Sequence, residues 1–378
     1  MIVTNLLTRR KILFFIFLVI LLISIPLFMW SKALKTEKIP EILPSPTDTF
    51  SQKPLLVKGS IPYWDQEKAS DSFKQNISVF NYVNLFWYYL SPNGDVNKYE
   101  YANEDSSIIE FAHQNNVKVS AVITNLPEYS GATWDSKRVE SVISEPETRK
   151  THIANIVTKL NELGFDGIII DYESVHASAK ENFSNFIREL SAELHSHRKE
   201  LAVVLHPRTG ERVKGEENGW FQDWQMLAKY SDQLQIMAYN EHWDESDAGP
   251  IASAPWVKKI IEYAQEKNID TEKLFLGIPL YGYDWDKTST DKAVGLTFTD
   301  VKKLLAEFNA EEKWNDEFQS PYFAYTDNDG DEHEVWFENA RSIAAKINLA
   351  KSYPLLGVTF WRLGNEDPDM WAILKEYR

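Results

Sequence analysis

Asp171 and Glu173, two carboxylates separated by a single residue, end the octapeptide Asp166-Gly167-Ile168-Ile169-Ile170-Asp171-Tyr172-Glu173. Side chains alternate faces along an extended chain, so Ile169, Asp171 and Glu173 share one side. The run from Phe165 to Ile170 is apolar except for Asp166 and Gly167, the composition of a strand buried in a parallel sheet. Acids at the end of such a strand lie where it emerges from the sheet. In closed α/β barrels that rim carries catalysis. Two carboxyl groups on one face titrate as a pair, and their repulsion keeps at least one of them protonated. General acid catalysis requires such a group. The competing structural reading is a buried ion pair, or strand-end acids turned to solvent.

These residues need a scaffold, and the rest of the chain supplies its pattern. β-rich runs occur at Val57–Pro62, Tyr82–Tyr88, Val117–Thr124, Gly167–Glu173, Leu201–His206, Gln233–Tyr239, Leu274–Pro279 and Gly357–Trp361. Between them fall amphipathic stretches such as Glu104–Asn115, Thr148–Leu163, Ala179–Arg198, Trp256–Lys267 and Asn339–Tyr353. Eight strands alternating with helices predict an α/β fold, a (β/α)8 TIM barrel, over residues 55–378. No Gly-rich phosphate fingerprint follows any strand, which excludes the usual nucleotide-binding arrangement. One connection is too long for a simple loop. Residues 284–336 hold a helix-like stretch at Phe298–Phe308 and a hairpin-like one at Tyr322–Trp336, turning at Asp329-Gly330. A small α+β insertion after strand 7 is expected there.

The octapeptide resembles the strand-4 signature of glycoside hydrolase family 18, D-x-x-D-x-D-x-E, and matches three of its four acidic positions. Ile169 stands where the family usually carries an acid. Met237-Ala238-Tyr239-Asn240 is similar to the family's M-x-Y-D, with Asn240 in place of Asp, and Gly357-Val358-Thr359-Phe360-Trp361 to its last strand. Leu276-Gly277-Ile278-Pro279-Leu280-Tyr281-Gly282-Tyr283 and Asn240-Glu241-His242-Trp243 look like the bacterial wall-active branch, which includes spore-cortex and peptidoglycan N-acetylglucosaminidases. The resemblance implies a retaining, substrate-assisted glycosidase, in which the substrate's own 2-acetamido group replaces a carboxylate nucleophile. By position Glu173 is then the general acid, Asp171 orients the acetamido group, and Tyr239 hydrogen-bonds its carbonyl. Trp361 floors the subsite of the reacting sugar, and Asn240 and Tyr281 contact substrate. The resemblance also implies that the insertion builds one wall of the groove. With no acid at 169 to share a proton, Asp171 is expected to stay ionised over a drier barrel floor.

Thirteen Trp in 378 residues suit sugar binding, since sugar C–H faces stack on aromatic rings, although core packing also uses Trp. Trp87, Trp243 and Trp285, with Tyr63 and Trp64, lie near predicted strand ends and are candidate sugar platforms. His206 follows a strand and either lines the barrel mouth or is a satisfied core histidine. Asp327, Asp329, Asp331 and Glu338 imitate calcium-loop positions, but a hairpin tip accounts for the acids better. No histidine spacing suggests a metal site, the absence of Cys excludes thiolate ligands and disulfides, and no cofactor is implied.

Residues 12–30 form an apolar run of 19 residues interrupted only by Ser24 and Pro26 and preceded by Arg9-Arg10-Lys11. That predicts a cytoplasmic N-terminus at 1–11 and a transmembrane signal anchor at 12–30. A cleaved signal peptide cut near Ser31-Lys32-Ala33 is the alternative, and would give a secreted protein. Residues 31–54, with Pro40, Pro44 and Pro46, read as an extended tether. The expected location is the cell membrane, single-pass, with the barrel outside the cytoplasm. Residues 1–55 carry seven Lys/Arg against three Asp/Glu, a net of +4, which leaves −20 for the remainder of a chain whose total is −16. So acidic a domain repels nucleic acid. The expected partner is an N-acetylglucosamine-containing polysaccharide, peptidoglycan first and chitin-type oligosaccharides next. Non-catalytic sugar binding on the same barrel, in the manner of a lectin, is the alternative function.

Overall fold

The apolar runs pair in parallel and close on themselves. The computed structural model describes residues 53–128, 133–211 and 219–377. In chain order the first strands are β1 (Leu56–Pro62), β2 (Tyr82–Leu90), β3 (Val96–Lys98), β4 (Lys118–Thr124), β5 (Gly167–Asp171), β6 (Glu200–Leu205), β7 (Gln233–Ile236) and β8 (Leu274–Pro279). β9 (Tyr281–Asp286) to β13 (Glu332–Phe337) follow, and β14 (Gly357–Trp361) is last. The order β1-β14-β8-β7-β6-β5-β4-β2, with β1 also paired to β2, is an eight-stranded closed parallel barrel. β3 is an antiparallel appendage of β2. Helices lie between the strands, so the predicted (β/α)8 architecture is present. The anchor expected at 12–30 and most of the tether lie outside the described residues. Among the described residues no helix is long and apolar enough to cross a membrane.

Local chemistry fixes the strand that carries the carboxylates. The helix Pro146–Leu163 begins with Pro at its first turn and ends at Gly164, whose φ of 77° lets its N–H return to the Leu160 carbonyl. Ile153, Ile156, Val157 and Leu160 of that helix face the core. Asp166 is a structural residue: its carboxylate accepts the Val119 N–H at 2.8 Å and lies 2.8 Å from His113 Nε2, tying the start of β5 to β4. At Gly167 a Cβ would stand 2.5 Å from the Glu200 carbonyl oxygen, so only glycine allows β5 and β6 to approach so closely.

The connection after β8 begins earlier and holds more strand than the sequence pattern suggests. Tyr281 already belongs to β9, and β10 (Val294–Thr297), β11 (Lys313–Asn315) and β12 (Ser320–Thr326) complete a five-stranded antiparallel sheet ordered β10-β9-β13-β12-β11. The helix Phe298–Glu307 packs on it through Val301, with Leu296, Phe323, Val335 and Phe337 as a separate small core. The hairpin turns at Asp329-Gly330 as expected. There Asp327 accepts the backbone N–H groups of Asp329, Gly330 and Asp331, each at 2.9 Å. Glu338 is buried elsewhere, 2.7 Å from Lys346 Nζ. The acids that imitate a calcium loop are thus used in the turn and in a buried ion pair.

At the opposite end of the barrel from the carboxylates, Lys58 of β1 is fully buried. Its ammonium donates to Gln233 Oε1 and sits 4.2 Å from the centre of the Phe275 ring. Burial pushes its pKa down from 10.5 to about 7. Between those values the unfolded chain binds a proton that the folded chain does not, so stability rises with pH from about 7 towards 10. Urea unfolding at pH 7 and pH 9.5 should show wild type gaining up to about 3 kcal/mol relative to Lys58→Met over that interval, at about 1.4 kcal/mol per unit. A constant difference between the two proteins would show that Lys58 keeps its proton.

Candidate active site

β5 ends at Asp171, two residues short of Glu173, because the next backbone partner is a side chain. Asn125, fully buried just past β4, accepts the Glu173 N–H at 2.8 Å and donates to the Glu173 carbonyl at 2.9 Å. This two-point clamp fixes Glu173 after the ladder stops, with Ser174 turning the chain at φ 56°. β7 stops equally early. The Ala238 N–H folds back to the Ile236 carbonyl, and Tyr239 enters the barrel mouth from a turn, not from the strand.

Asp171, Glu173 and Tyr239 meet in a cleft of about 570 Å³ at the C-terminal rim. Trp361 at the end of β14 lines it, with its ring edge-on to Phe86 at 5.3 Å and to Trp64 at 6.0 Å. Asn240 and Tyr281 also line it, the Tyr281 hydroxyl donating to Asn240 Oδ1 at 2.5 Å. Asn240 has a φ of 61°, a conformation that Asn adopts more readily than most residues. Tyr283, Gly295, Leu296 and Thr297 of the insertion form one wall.

Burial dominates the electrostatics. It raises the Asp171 carboxyl to about 7, and it raises Glu173 well above the usual carboxylate range, with the neighbouring Asp171 charge as the second cause. The pair therefore holds a proton at neutrality. Burial and both carboxylates keep the Tyr239 hydroxyl protonated, as a hydrogen-bond donor. His206 Nε2 lies 4.0 Å from Glu173 Oε2, but burial and then Arg208 push the imidazole down to about 4. It is neutral near pH 7, so this contact is not an ion pair and does not pull the proton from Glu173.

A protonated acid beside a second carboxyl, on an aromatic floor, is the equipment of glycosidic bond cleavage. The profile of glycosyl hydrolases family 18 matches residues 60–366. The chain belongs to this family and is a glycoside hydrolase. It is 30% identical to the uncharacterized glycosylase YvbX of Bacillus subtilis over 71% of this chain and 77% of that one. It is 28% identical to the cortical fragment-lytic enzyme of the same organism over 82% of this chain and 70% of that one. Among solved structures, a chitinase from Chromobacterium violaceum superposes with a TM-score of 0.78 at 28% identity, covering 85% of this chain and 98% of that one.

Within the family 18 barrel, three expected platforms are elsewhere. Trp87 is fully buried: Asn84 and Phe86, two apart on β2, line the barrel interior, so Trp87 between them and the strand end faces outward onto Phe165. Trp285 is buried against Ile251, Ala293 and Trp336, with its indole N–H on the Ser246 carbonyl. Trp243 is 43% exposed on the loop after β7 and is not part of the cleft lining. Trp64 does line the cleft. The Asn125 clamp, Phe86, Trp134 and Arg362 were not singled out by sequence. Asn125 carried the one usable signal, a polar residue just past the end of a predicted strand.

The floor beneath Asp171 also departs from expectation. Ile169 is buried there and lines a cavity of about 40 Å³ with Val122, Val204 and Ile236, but the same cavity is also lined by Ser60, Asn84, Gln235 and Thr359, so the floor carries polar groups. Asp171 Oδ1, Asn84 Oδ1 and Gln235 Nε2 are buried without a protein hydrogen-bond partner. Asp171, expected to stay ionised, has its pKa raised to about 7 by burial, and no protein hydrogen bond to Oδ1 offsets that cost. Ile169→Asn places an amide donor there. It should move the acidic limb of the pH–rate profile to lower pH, at a stability cost of about 1–3 kcal/mol for burying an amide. An unchanged limb would show that position 169 does not govern Asp171.

Proposed function

We propose that the protein hydrolyses β-linked N-acetylglucosamine polymers with retention of configuration, that peptidoglycan is its substrate, and that residues 12–30 tether it to the membrane with the barrel outside the cytoplasm. The observation that carries this reading is the proton-holding Asp171–Glu173 pair facing Tyr239 across a cleft floored by Trp361. Glu173 protonates the leaving glycosidic oxygen while the substrate's acetamido oxygen attacks the anomeric carbon. Asp171 accepts the acetamido N–H and stabilises the positive charge of the oxazolinium ion that forms. Tyr239 hydrogen-bonds the acetamido oxygen and aligns it. Glu173, now ionised, then takes a proton from the water that attacks the same face of the ring, which restores the original configuration.

The relative named as a cortical fragment-lytic enzyme supports peptidoglycan, and a tether suits a fixed polymer close to the membrane. The deciding experiment incubates the protein with purified peptidoglycan and with chitooligosaccharides, and identifies products by mass spectrometry and anomeric configuration by NMR. The expected result is β-configured new reducing ends from peptidoglycan, at higher kcat/KM than from chitooligosaccharides. Products of inverted configuration, or turnover of chitin alone, would overturn it. Membrane fractionation with protease accessibility of intact cells tests the tether.

A further inference from the structure

A second cleft, of about 330 Å³, opens beside the first. It shares Trp64, Thr297 and Arg362 with the active-site cleft but touches none of Asp171, Glu173 and Tyr239. It therefore adjoins the site of reaction without being part of it. Trp64, 49% exposed, presents an aromatic face at the junction, of the kind on which a sugar stacks.

The charge of this second cleft is unlike that of the domain around it. Lys68, Lys303 and Arg362 line it against two carboxylates, Asp65 and Asp300. Arg362 is committed to Asp65 at 2.7 Å. Asp300 is committed as well: one oxygen accepts the Thr297 N–H at 3.2 Å to close a helix capping box and the Thr297 hydroxyl at 2.6 Å, and the other meets Lys303 at 2.8 Å. Lys68 is held only loosely, 3.8 Å from Asp65. The Lys68 and Lys303 side chains are 63% and 68% exposed; Lys68 can swing onto a ligand, and Lys303 can share its ammonium between Asp300 and a ligand. One cation in excess lines a groove in a barrel whose sequence carries −20. A neutral polymer such as chitin has nothing to gain from that excess.

Resting on the peptidoglycan reading above, we propose that this cleft binds the 3-O-lactyl branch on the N-acetylmuramic acid adjacent to the reacting sugar, through the lactyl carboxylate where the branch is free and through the carboxylates of the peptide where the lactyl carboxyl is amidated. Lys68 and Lys303 supply the charge and Trp64 the sugar platform. Because the two sugars of peptidoglycan alternate, a muramic residue next door means that the reacting sugar is N-acetylglucosamine, whichever way the strand runs. The cleft thus selects both the polymer and the bond.

The test compares a peptidoglycan tetrasaccharide bearing free lactyl groups, its peptide-bearing counterpart and chitotetraose, using the full chain. In the Lys68→Ala/Lys303→Ala double variant the ratio of kcat/KM for lactyl-bearing over neutral glycan should fall about three- to tenfold, through KM, as expected for two exposed charge contacts. The Lys68→Arg/Lys303→Arg variant should restore it. The wild-type preference should shrink as salt rises from about 0.05 to about 0.5 M. Equal losses on both glycans, an unchanged ratio, or new reducing ends at N-acetylmuramic acid would each overturn the proposal. Calorimetric affinities of the Glu173→Gln protein read the cleft without turnover. A preference for the lactyl-bearing glycan there, with no hydrolysis by wild type, would sink the hydrolytic reading and leave the subsite standing. Equal affinities would sink the subsite alone.

Discussion

Glu173→Gln should lower kcat on peptidoglycan by about 10²–10⁴-fold, the range for loss of a positioned general acid, with little change in binding. The substitution conserves shape, and the Asn125 clamp grips only the backbone of residue 173, so the side chain stays where it is. What is lost is the proton. A carboxyl whose pKa is raised by burial and by Asp171 still carries its proton at neutral pH and can give it to a leaving oxygen, and an amide cannot. A second measurement separates this role from general damage. Substrates with a 4-nitrophenolate leaving group need little protonation, so Glu173→Gln should lose far less rate on 4-nitrophenyl N-acetylglucosaminides than on the polymer. Equal losses on both would remove Glu173 from the acid's role, and a variant with wild-type kcat would remove it from the mechanism.

The sequence made the barrel legible because each strand and helix announced itself by period and composition, and the rim acids because they closed an apolar run. What it concealed was set by single residues of tertiary origin. Alternation along β2 puts Phe86 and Trp87 on opposite faces, but both are aromatic, and only the packing of Trp87 on Phe165 and of Phe86 in the barrel interior decides which of them faces the cleft. Trp285 has the right distance from a strand end, yet it belongs to an insertion strand whose other face needs a core. Asp166 and Asp171 look alike within the motif. Only the Val119 N–H and His113 side chain at one end, and burial beside Glu173 at the other, make the first a structural tie and the second a proton-sharing acid. Ile169 suggested a dry floor because its own side chain is apolar. The polarity comes from β1, β2, β7 and β14, contributed by Ser60, Asn84, Gln235 and Thr359 across the barrel.

Asp171→Asn should change rate, pH profile and stability together, and the direction of each follows from one charge. Removing the carboxylate that supports the oxazolinium ion should reduce kcat by about 10²–10³-fold, the usual cost of deleting one preorganised electrostatic contact. The acidic limb of the pH–rate profile, which reports Asp171 losing its proton near 7, should disappear. The basic limb should move to lower pH, because Glu173 no longer ionises against a neighbouring negative charge. Stability runs the other way. Asp171 binds a proton more tightly folded than unfolded, so wild type loses stability as pH rises from about 4 to about 7, the interval between its unfolded and folded pKa values. An amide has no proton to lose, so the variant should melt higher than wild type at pH 7.5, by about 1–3 kcal/mol in unfolding free energy, with the difference vanishing near pH 4. A slower enzyme that is also more stable, and only where the carboxylate is charged, is the behaviour of a group placed for chemistry at the expense of the fold. A variant that lost activity and stability alike at every pH would instead assign Asp171 to packing.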